Sequence, residues 1–189
     1  MRGTIGPLAA TLLLSGCSTA VIETRTGAPH ERLAGSRTLV VADLAAPGRG
    51  AAEDAVVRRV PGAVAAHALR GSPTVAAVEK LSAVDWDTVV LVTVADTRIQ
   101  NTPDVAYRAN EDRSISRNGL PGRTVAWLYL DVSVRRVSDR LELYGVRVRS
   151  DREVPATSTA AEDRESASAQ VAAAADIAAR RMMKSGLFN

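Results

Sequence analysis

The sequence predicts a mixed α/β (α+β) fold: a mixed sheet of about four strands with a β-hairpin, a helical crossover and a C-terminal helix packed on it. Three patterns predict it: valine-rich runs that are apolar on both faces, two long segments that alternate with period two, and an alanine-rich stretch with helical spacing. Apolar residues make up 46% of the 189 residues, which suits a packed core and excludes a disordered polar chain.

Two buried strands frame a helical segment. Residues 38–44 and 88–98 are apolar on both faces, which is typical of strands covered on both sides. Between them, helical patterns run over 51–69, interrupted by the Pro-Gly pair at 61–62, and over 74–84. A strand, a helical crossover and a second strand predict a right-handed βαβ-type unit.

The hairpin joins residues 124–137 to residues 141–154. A two-residue turn would pair apolar with charged side chains and mix the two faces. A three-residue loop at 138–140 instead separates an apolar face from a charged one. It pairs Val134 with Tyr144, Val132 with Val146, Leu130 with Val148, Asp131 with Arg147 and Tyr129 with Arg149.

The last element is a helix that begins after Thr159 and runs through about residue 181. Thr159 and Glu162 fit a capping box, and Gly186 is a suitable stop. Asp176 and Arg180 are spaced as an i,i+4 ion pair. A narrow apolar stripe is expected to pack on the sheet: Val171, Ala174, Ala178 and Met182.

The N-terminus has the layout of a signal peptide. Arg2 precedes a short apolar run at 5–14, which is too short to span a membrane as a helix. The run ends in Leu-Ser-Gly-Cys at 14–17, which resembles the bacterial lipobox. That resemblance implies cleavage between Gly16 and Cys17, and a diacylglyceryl group and a fatty acyl chain such as palmitate on Cys17.

These signals divide the chain into three expected parts. Residues 1–16 are a lipoprotein signal peptide, residues 17–36 are the lipidated N-terminus and a flexible tether, and residues 37–189 are a single periplasmic α/β domain. Several acyl chains anchor a protein firmly without a membrane span. Ser18, in place of an aspartate, is similar to the outer-membrane default of bacterial lipoproteins, so we expect a periplasm-facing protein at that membrane.

Charge and composition argue against several kinds of function. The net charge is +3, but the 24 basic residues are interspersed with 21 acidic ones, which does not favour nucleic-acid binding. His67 is the only histidine of the predicted domain, and no Ser/His/Asp set or metal-ligand spacing is present. A Gly-x-Gly turn at 48–50 precedes Glu53 and Asp54, which would repel phosphate. We therefore predict no catalytic residues, no cofactor and no metal.

One group of basic residues is a candidate binding patch. Arg135, Arg147 and Arg149 lie on the charged face of the predicted hairpin. They would contact anionic lipid headgroups, a glycan or a partner protein, or they would be satisfied by cross-strand acids and water. A long polar connection at 99–123 contains prolines and glycines and is a second candidate functional segment.

The element order behind a lipobox resembles small envelope lipoproteins with a TolB-amino-terminal-like domain, including curli-secretion lipoproteins and lipoprotein activators of penicillin-binding proteins. The similar parts are the strand at 86–94 and the hairpin at 124–154. The lipid anchor, the tether, the mixed α/β domain and the missing catalytic set together predict a non-enzymatic, lipid-anchored envelope protein that binds another envelope protein in assembly, secretion or cell-wall maintenance. The alternative is an anchored glycan- or lipid-binding or hydrolytic domain.

Overall fold

The computed structural model describes residues 18–26, 32–33, 35–102, 123–155 and 158–188. These residues form six strands, three α-helices and one 3₁₀ turn. The strands are β1 (Ser18–Thr26), β2 (Thr38–Asp43), β3 (Ala63–Ala65), β4 (Thr88–Thr102), β5 (Arg123–Arg136) and β6 (Glu142–Val154); the helices are α1 (Gly48–Val57), α2 (Val75–Val78) and α3 (Ala160–Lys184), with the 3₁₀ turn at Ala66–Ala68.

The fold is mixed α/β, as predicted, but its single sheet has six strands rather than about four. The strand order is β1-β6-β5-β4-β2-β3, so both unpredicted strands lie at an edge. β2 pairs in parallel with β3 and with β4, whereas β4, β5, β6 and β1 are joined by antiparallel pairing.

Strand β1 lies within the segment predicted as a lipidated N-terminus and flexible tether, residues 17–36, and shows that residues 18–26 of it are part of the sheet. Ser18–Thr26 pairs antiparallel with β6, from Ser18 opposite Asp151 to Thr26 opposite Tyr144, with a bulge between Val21 and Glu23. The segment is rich in threonine and β-branched apolar residues, and it covers the otherwise free edge of β6. It pairs with a strand more than 100 residues away. No local sequence pattern predicts such a distant pairing.

The prediction of a helix over 51–69 is correct only in its first part, because a strand and a 3₁₀ turn form its second part. Helix α1 begins earlier, at Gly48, and ends at Val57. Gly62 then adopts a φ of +73°, which glycine tolerates without strain, and the chain turns into β3 beside β2. Helix α2 is a single turn rather than the predicted 74–84, and Leu81 and Trp86 beyond it pack on the sheet.

The hairpin register is confirmed. Val134, Val132 and Leu130 lie opposite Tyr144, Val146 and Val148, and Asp131 lies opposite Arg147. Near the turn the register shifts between Val134 and Arg135, which places Arg135 opposite Glu142. At the turn, β5 therefore ends one residue before its predicted limit, and β6 begins one residue after its predicted limit.

A large core lies on the face of the sheet that α1 and α3 cover. The predicted stripe of α3 is buried there: Val171, Ala174, Ala178 and Met182. The capping box at Thr159 and Glu162 is present, and the helix ends before Gly186, whose φ is +80°. A smaller cluster on the other face joins β2 and β4 to the 3₁₀ turn and α2.

Several predictions lie outside the described residues: the signal peptide, the cleavage position at Gly16 and Cys17, and residues 103–122 of the long connection. The ends of that connection, 99–102 and 123, belong to β4 and β5. Within the ranges that the structure describes, no helix has the length and apolar character needed to cross a membrane.

Candidate functional site

A charged sheet face lies opposite α1 and α3 over β1, β6, β5 and the second half of β4. We call it the open face. Its side chains alternate with those that point into the large core, as the strand register requires. It comprises Glu23, Arg25, Asp96, Arg98, Trp127, Tyr129, Asp131, Arg135, Glu142, Arg147, Arg149 and Asp151.

Asp131 and Arg147 form the best-defined ion pair of the open face. Arg147 Nε donates to Asp131 Oδ1 at 2.6 Å, and Nη2 donates to Oδ2 at 2.7 Å. This bidentate geometry, together with the nearby charge of Asp131, raises the pKa of Arg147 above its ordinary value. The pair fixes both side chains across β5 and β6 while leaving them accessible, with 22% and 37% of their side-chain surfaces exposed.

Arg149 joins an aromatic ring to a carboxylate. Its guanidinium carbon lies 5.4 Å from the centroid of the Trp127 ring, and its Nε lies 3.1 Å from Asp151 Oδ1. The indole face and the charge of Asp151 both attract the guanidinium, while Asp151 Oδ1 accepts no hydrogen bond among the described residues. Arg149 and Trp127 therefore present an amphipathic patch on the open face.

Arg135 is held more loosely than the other two arginines. Its Nη2 lies 3.9 Å from Glu142, and its buried Nε has no hydrogen-bond partner among the described residues. Glu142 also lies 3.7 Å from Arg25 Nε. Gly145 lies beneath this group, and a β-carbon there would come within 2.8 Å of the Glu142 carboxylate. Arg135 is thus held by one long ion pair, with its Nε buried and without a hydrogen-bond partner among the described residues.

The structure therefore brings Arg135, Arg147 and Arg149 onto one face, each within 4 Å of a carboxylate. Arg98 and Asp96 add a further pair at 2.7 Å. The ion pairs of the open face join five arginines to five carboxylates, and Glu153 near the end of β6 adds a sixth carboxylate on the same side. The face therefore offers charges of both signs rather than a basic patch.

A second cluster surrounds the fully buried side chain of Glu53 on α1. Its Oε1 accepts hydrogen bonds from the amide of Ala42 at 2.9 Å and from Arg49 Nε at 3.0 Å. Its Oε2 accepts from the amide of His67 at 2.7 Å and lies 2.8 Å from His67 Nδ1. Burial alone would raise the pKa of Glu53, but the donors around the carboxylate outweigh it and hold that pKa below its ordinary value.

His67 lies between two carboxylates. While Nδ1 faces Glu53, Nε2 lies 3.4 Å from Asp54 Oδ1. A β-carbon added at Gly50 would lie 3.9 Å from the ring. The cluster lies where β2 and β3 end, at the carboxyl edge of the parallel part of the sheet, which is where open α/β sheets commonly bind ligands.

The sequence did not indicate this cluster. It predicted Glu53 and Asp54 in a first helical turn and His67 in the helical segment that follows the Pro-Gly pair at 61–62. The earlier start of α1 moves both acids to its second turn, and the turn at Gly62 brings His67 back beside them. The separation of 14 residues between Glu53 and His67 has no standard motif, so only the fold reveals the contact.

Two further observations concern ligands. Among the residues that the structure describes, no group of three or more His, Cys, Asp or Glu side chains is arranged to hold a metal ion. A depression of about 220 Å³ lies at the start of β4, lined by Leu33, Asp87, Thr88 and Arg136 among others. It is smaller than the roughly 300–1,000 Å³ of typical small-molecule sites.

No family model matches the chain, and no curated protein matches it. Among solved structures, it is similar to a PelC dodecamer from Paraburkholderia phytofirmans, at 12% identity and a TM-score of 0.43. A point variant of that dodecamer in another crystal form matches at 13% identity and a TM-score of 0.44. Each alignment covers 84% of this chain and 96% of the other. Likeness at this level carries no argument about function.

Proposed function

We propose that this protein is a non-enzymatic lipoprotein, anchored through Cys17 at the outer membrane and facing the periplasm. On this proposal it binds another envelope protein through its open face, in assembly, secretion or cell-wall maintenance. The observation that carries the binding proposal is the row of fixed, half-exposed Arg–carboxylate pairs beside Trp127 and Tyr129.

The open face has the chemistry of a protein-binding surface. Arginine, tryptophan and tyrosine are enriched at the energetic centres of protein interfaces. Here Arg147 and Arg149 are already held by neighbouring groups, so little side-chain entropy is lost when a partner docks on them. A rigid surface of this kind supports specific recognition.

The alternation of charge favours a partner that is itself a protein. A nucleic acid or an anionic membrane presents one sign of charge, and the carboxylates of the open face would repel it. A protein surface can offer acids to the arginines and basic groups to Asp131 and Asp151. We therefore expect a partner surface with charges of both signs and an apolar spot opposite Trp127.

The anchor is tested by Cys17→Ser in cells fed a labelled fatty acid. We expect the wild-type chain to carry the label and to be cleaved before Cys17, since thioether formation needs the thiol. The variant should remain unlabelled and accumulate as precursor. A variant that is labelled and processed like the wild type would contradict the anchor.

Partner binding is tested by chemical crosslinking in intact cells followed by mass spectrometry. We expect one envelope protein to be recovered reproducibly with the wild-type chain, and recovery to fall when Trp127→Ala and Arg149→Ala are combined. Arg164→Ala on the exposed side of α3 is the matched control and should leave recovery unchanged. Recovery of the chain alone, or equal recovery with all variants, would argue against the binding proposal.

A further inference from the structure

We propose that the anchor holds the sheet upright on the membrane, with the C-terminal end of β4 and the start of β5 against the lipid headgroups. This inference rests on the anchoring of Cys17 proposed above, and it adds the orientation of the domain. The partner of this end of the sheet is the bilayer that holds the acyl chains. The open face stays outside the bilayer for the envelope protein.

The link between the anchor and the sheet is one peptide bond long. Cys17 directly precedes Ser18, the first residue of β1, and successive Cα atoms lie about 3.8 Å apart. Strand β1 is paired with β6 from Ser18, opposite Asp151, to Thr26, opposite Tyr144. Acyl chains on Cys17 therefore bring the bilayer surface close to the Ser18 end of the sheet.

Strands β4 and β5 reach further than β1 at that end. Ser18 lies in one row across the sheet with Asp151, Trp127 and Arg98. Strand β5 begins at residue 123, four before Trp127, and β4 ends at residue 102, four after Arg98. At about 3.3 Å per residue, both strands project roughly 13 Å beyond the row that contains Ser18. They therefore meet the bilayer surface that the anchor brings to Ser18.

The projecting residues, 99–102 and 123–126, carry little charge, and we call them the membrane end. They read Ile-Gln-Asn-Thr and Arg-Thr-Val-Ala, with one charged residue among the eight. Ile99 is 75% exposed. The neighbouring end of β6 adds Arg152 and Glu153, whose charges are opposite. Because moving charges out of water costs far more than moving neutral groups, an end with few charges approaches a bilayer most easily.

The other surfaces around β1 and the hairpin fit a bilayer less well. The free edge of β1 carries Glu23 and Arg25, whose side chains are 47% and 49% exposed and lie 3.9 Å apart. A sheet lying on this edge would take both charges out of water. At the opposite end of the hairpin, residues 135–142 include five charged side chains among eight. The charge distribution therefore favours the membrane end.

An upright sheet also limits where the partner of the open face can lie. Trp127 and Arg135 are four and twelve residues from the start of β5. These separations correspond to roughly 13 and 40 Å along the strand from its membrane end. The envelope protein must therefore contact this domain within roughly 40 Å of the bilayer surface.

The test uses the full-length acylated protein in vesicles of phosphatidylethanolamine and phosphatidylglycerol. Since Cys17 is the only cysteine and its thiol is acylated, an NBD fluorophore can be attached to one added cysteine. We compare Gln100→Cys at the membrane end with Ser138→Cys at the other end of the hairpin, both at exposed positions. A headgroup nitroxide lipid should remove most of the fluorescence at position 100 and little at position 138, which is at least about 35 Å further along the sheet.

A matched variant inserts a Gly/Ser spacer of about ten residues between Ser18 and Thr19, which adds a reach of roughly 17 Å and leaves Ser18 next to Cys17. Circular dichroism should show the same fold, and quenching at position 100 should fall towards that at position 138. Unchanged quenching in the folded spacer variant would overturn the inference, because the short link would then not set the orientation.

Equal quenching at positions 100 and 138 without the spacer would also overturn the inference. A sheet lying on its β1 edge, or a domain tumbling freely on its anchor, would give that result. Mass spectrometry of the same samples separates the two proposals. A chain without acyl groups would contradict the anchor itself, whereas an acylated chain with equal quenching would contradict only the orientation.

Discussion

At the scale of single residues, the open face depends on pairs whose partners lie on neighbouring strands. Asp131 and Arg147 illustrate this, since the hairpin register alone places them opposite each other and the structure joins them by two hydrogen bonds. Register was predictable because a one-residue slip would invert every side chain of the hairpin. The stacking of Arg149 on Trp127 was not predictable, because it involves a diagonal neighbour and a choice of rotamer.

The Asp131–Arg147 pair should be measurably but modestly coupled. A double-mutant cycle of Asp131→Ala and Arg147→Ala should give an interaction of about 0.2–1 kcal/mol in the free energy of urea unfolding. The coupling should weaken as salt is raised, since both side chains are partly exposed. Additive single-variant effects at low salt would contradict this pairing in solution.

A second residue-scale prediction concerns Asp176 on α3. Its carboxylate accepts a hydrogen bond from Arg59 at 2.7 Å and also lies 2.7 Å from Arg180, and these contacts hold its pKa below the ordinary value. A lowered folded-state pKa stabilises the fold fully above the unfolded value of about 3.9, and the stabilisation is lost as pH falls through the lower folded value.

The measurement is the free energy of unfolding of wild type and Asp176→Asn as a function of acid pH. The difference between the two curves should be largest above about pH 4 and should shrink as the solution becomes more acidic. A difference that stays constant down to about pH 2 would show that Asp176 does not titrate through this network.

At the scale of elements, each prediction succeeded where the pattern was long and self-contained. Helix α3 was predicted from its capping box, apolar stripe and stop, and all three are present. Strands β1 and β3 were missed because each is an edge strand whose pairing partner is distant in sequence. The predicted length of helix α2 was too great, because the chain leaves the helix after Val78. Leu81 and Trp86 pack against the sheet from the segment that follows.

The capping box of α3 should contribute measurably to stability. Thr159 accepts from the amide of Glu162, and Glu162 accepts from the amide of Thr159 at 2.7 Å. Thr159→Ala removes one acceptor and should lower the free energy of unfolding by about 0.5–2 kcal/mol. Glu165→Ala, an exposed change in the next turn, should stay within about 0.5 kcal/mol of the wild type. Equal effects of the two changes would contradict a specific cap.

At the scale of the whole molecule, the two sides of one sheet differ: one side packs in the core and the other carries the charged open face. The core under α1 and α3 stabilises the fold, while the opposite side of the same strands presents the open face. Leu130 and Asp131 show this division in adjacent residues, since Leu130 is fully buried and the side chain of Asp131 is 22% exposed. This separation was predictable from period-two alternation, whereas the Glu53–His67 cluster required three elements to meet and was not.

Because the core and the open face lie on opposite sides of the sheet, we expect substitutions on the two sides to have different effects. Leu130→Ala should lower the free energy of unfolding by about 2–5 kcal/mol, because it removes buried methyl groups from the core. Trp127→Ala should cost less stability but should weaken partner binding, because Trp127 is half-exposed on the open face. Urea unfolding and crosslinking yield separate the two effects. A binding loss in Leu130→Ala that exceeds its loss of folded protein would contradict the division.

If the open face binds an envelope protein, site-specific photocrosslinking in intact cells will trap that contact. A benzophenone amino acid would replace Tyr129 on the open face and, as the matched control, exposed Ala169 on α3. We expect a discrete adduct with one envelope protein from position 129 and none from position 169. No adduct from position 129, or the same adducts from both positions, would contradict the account.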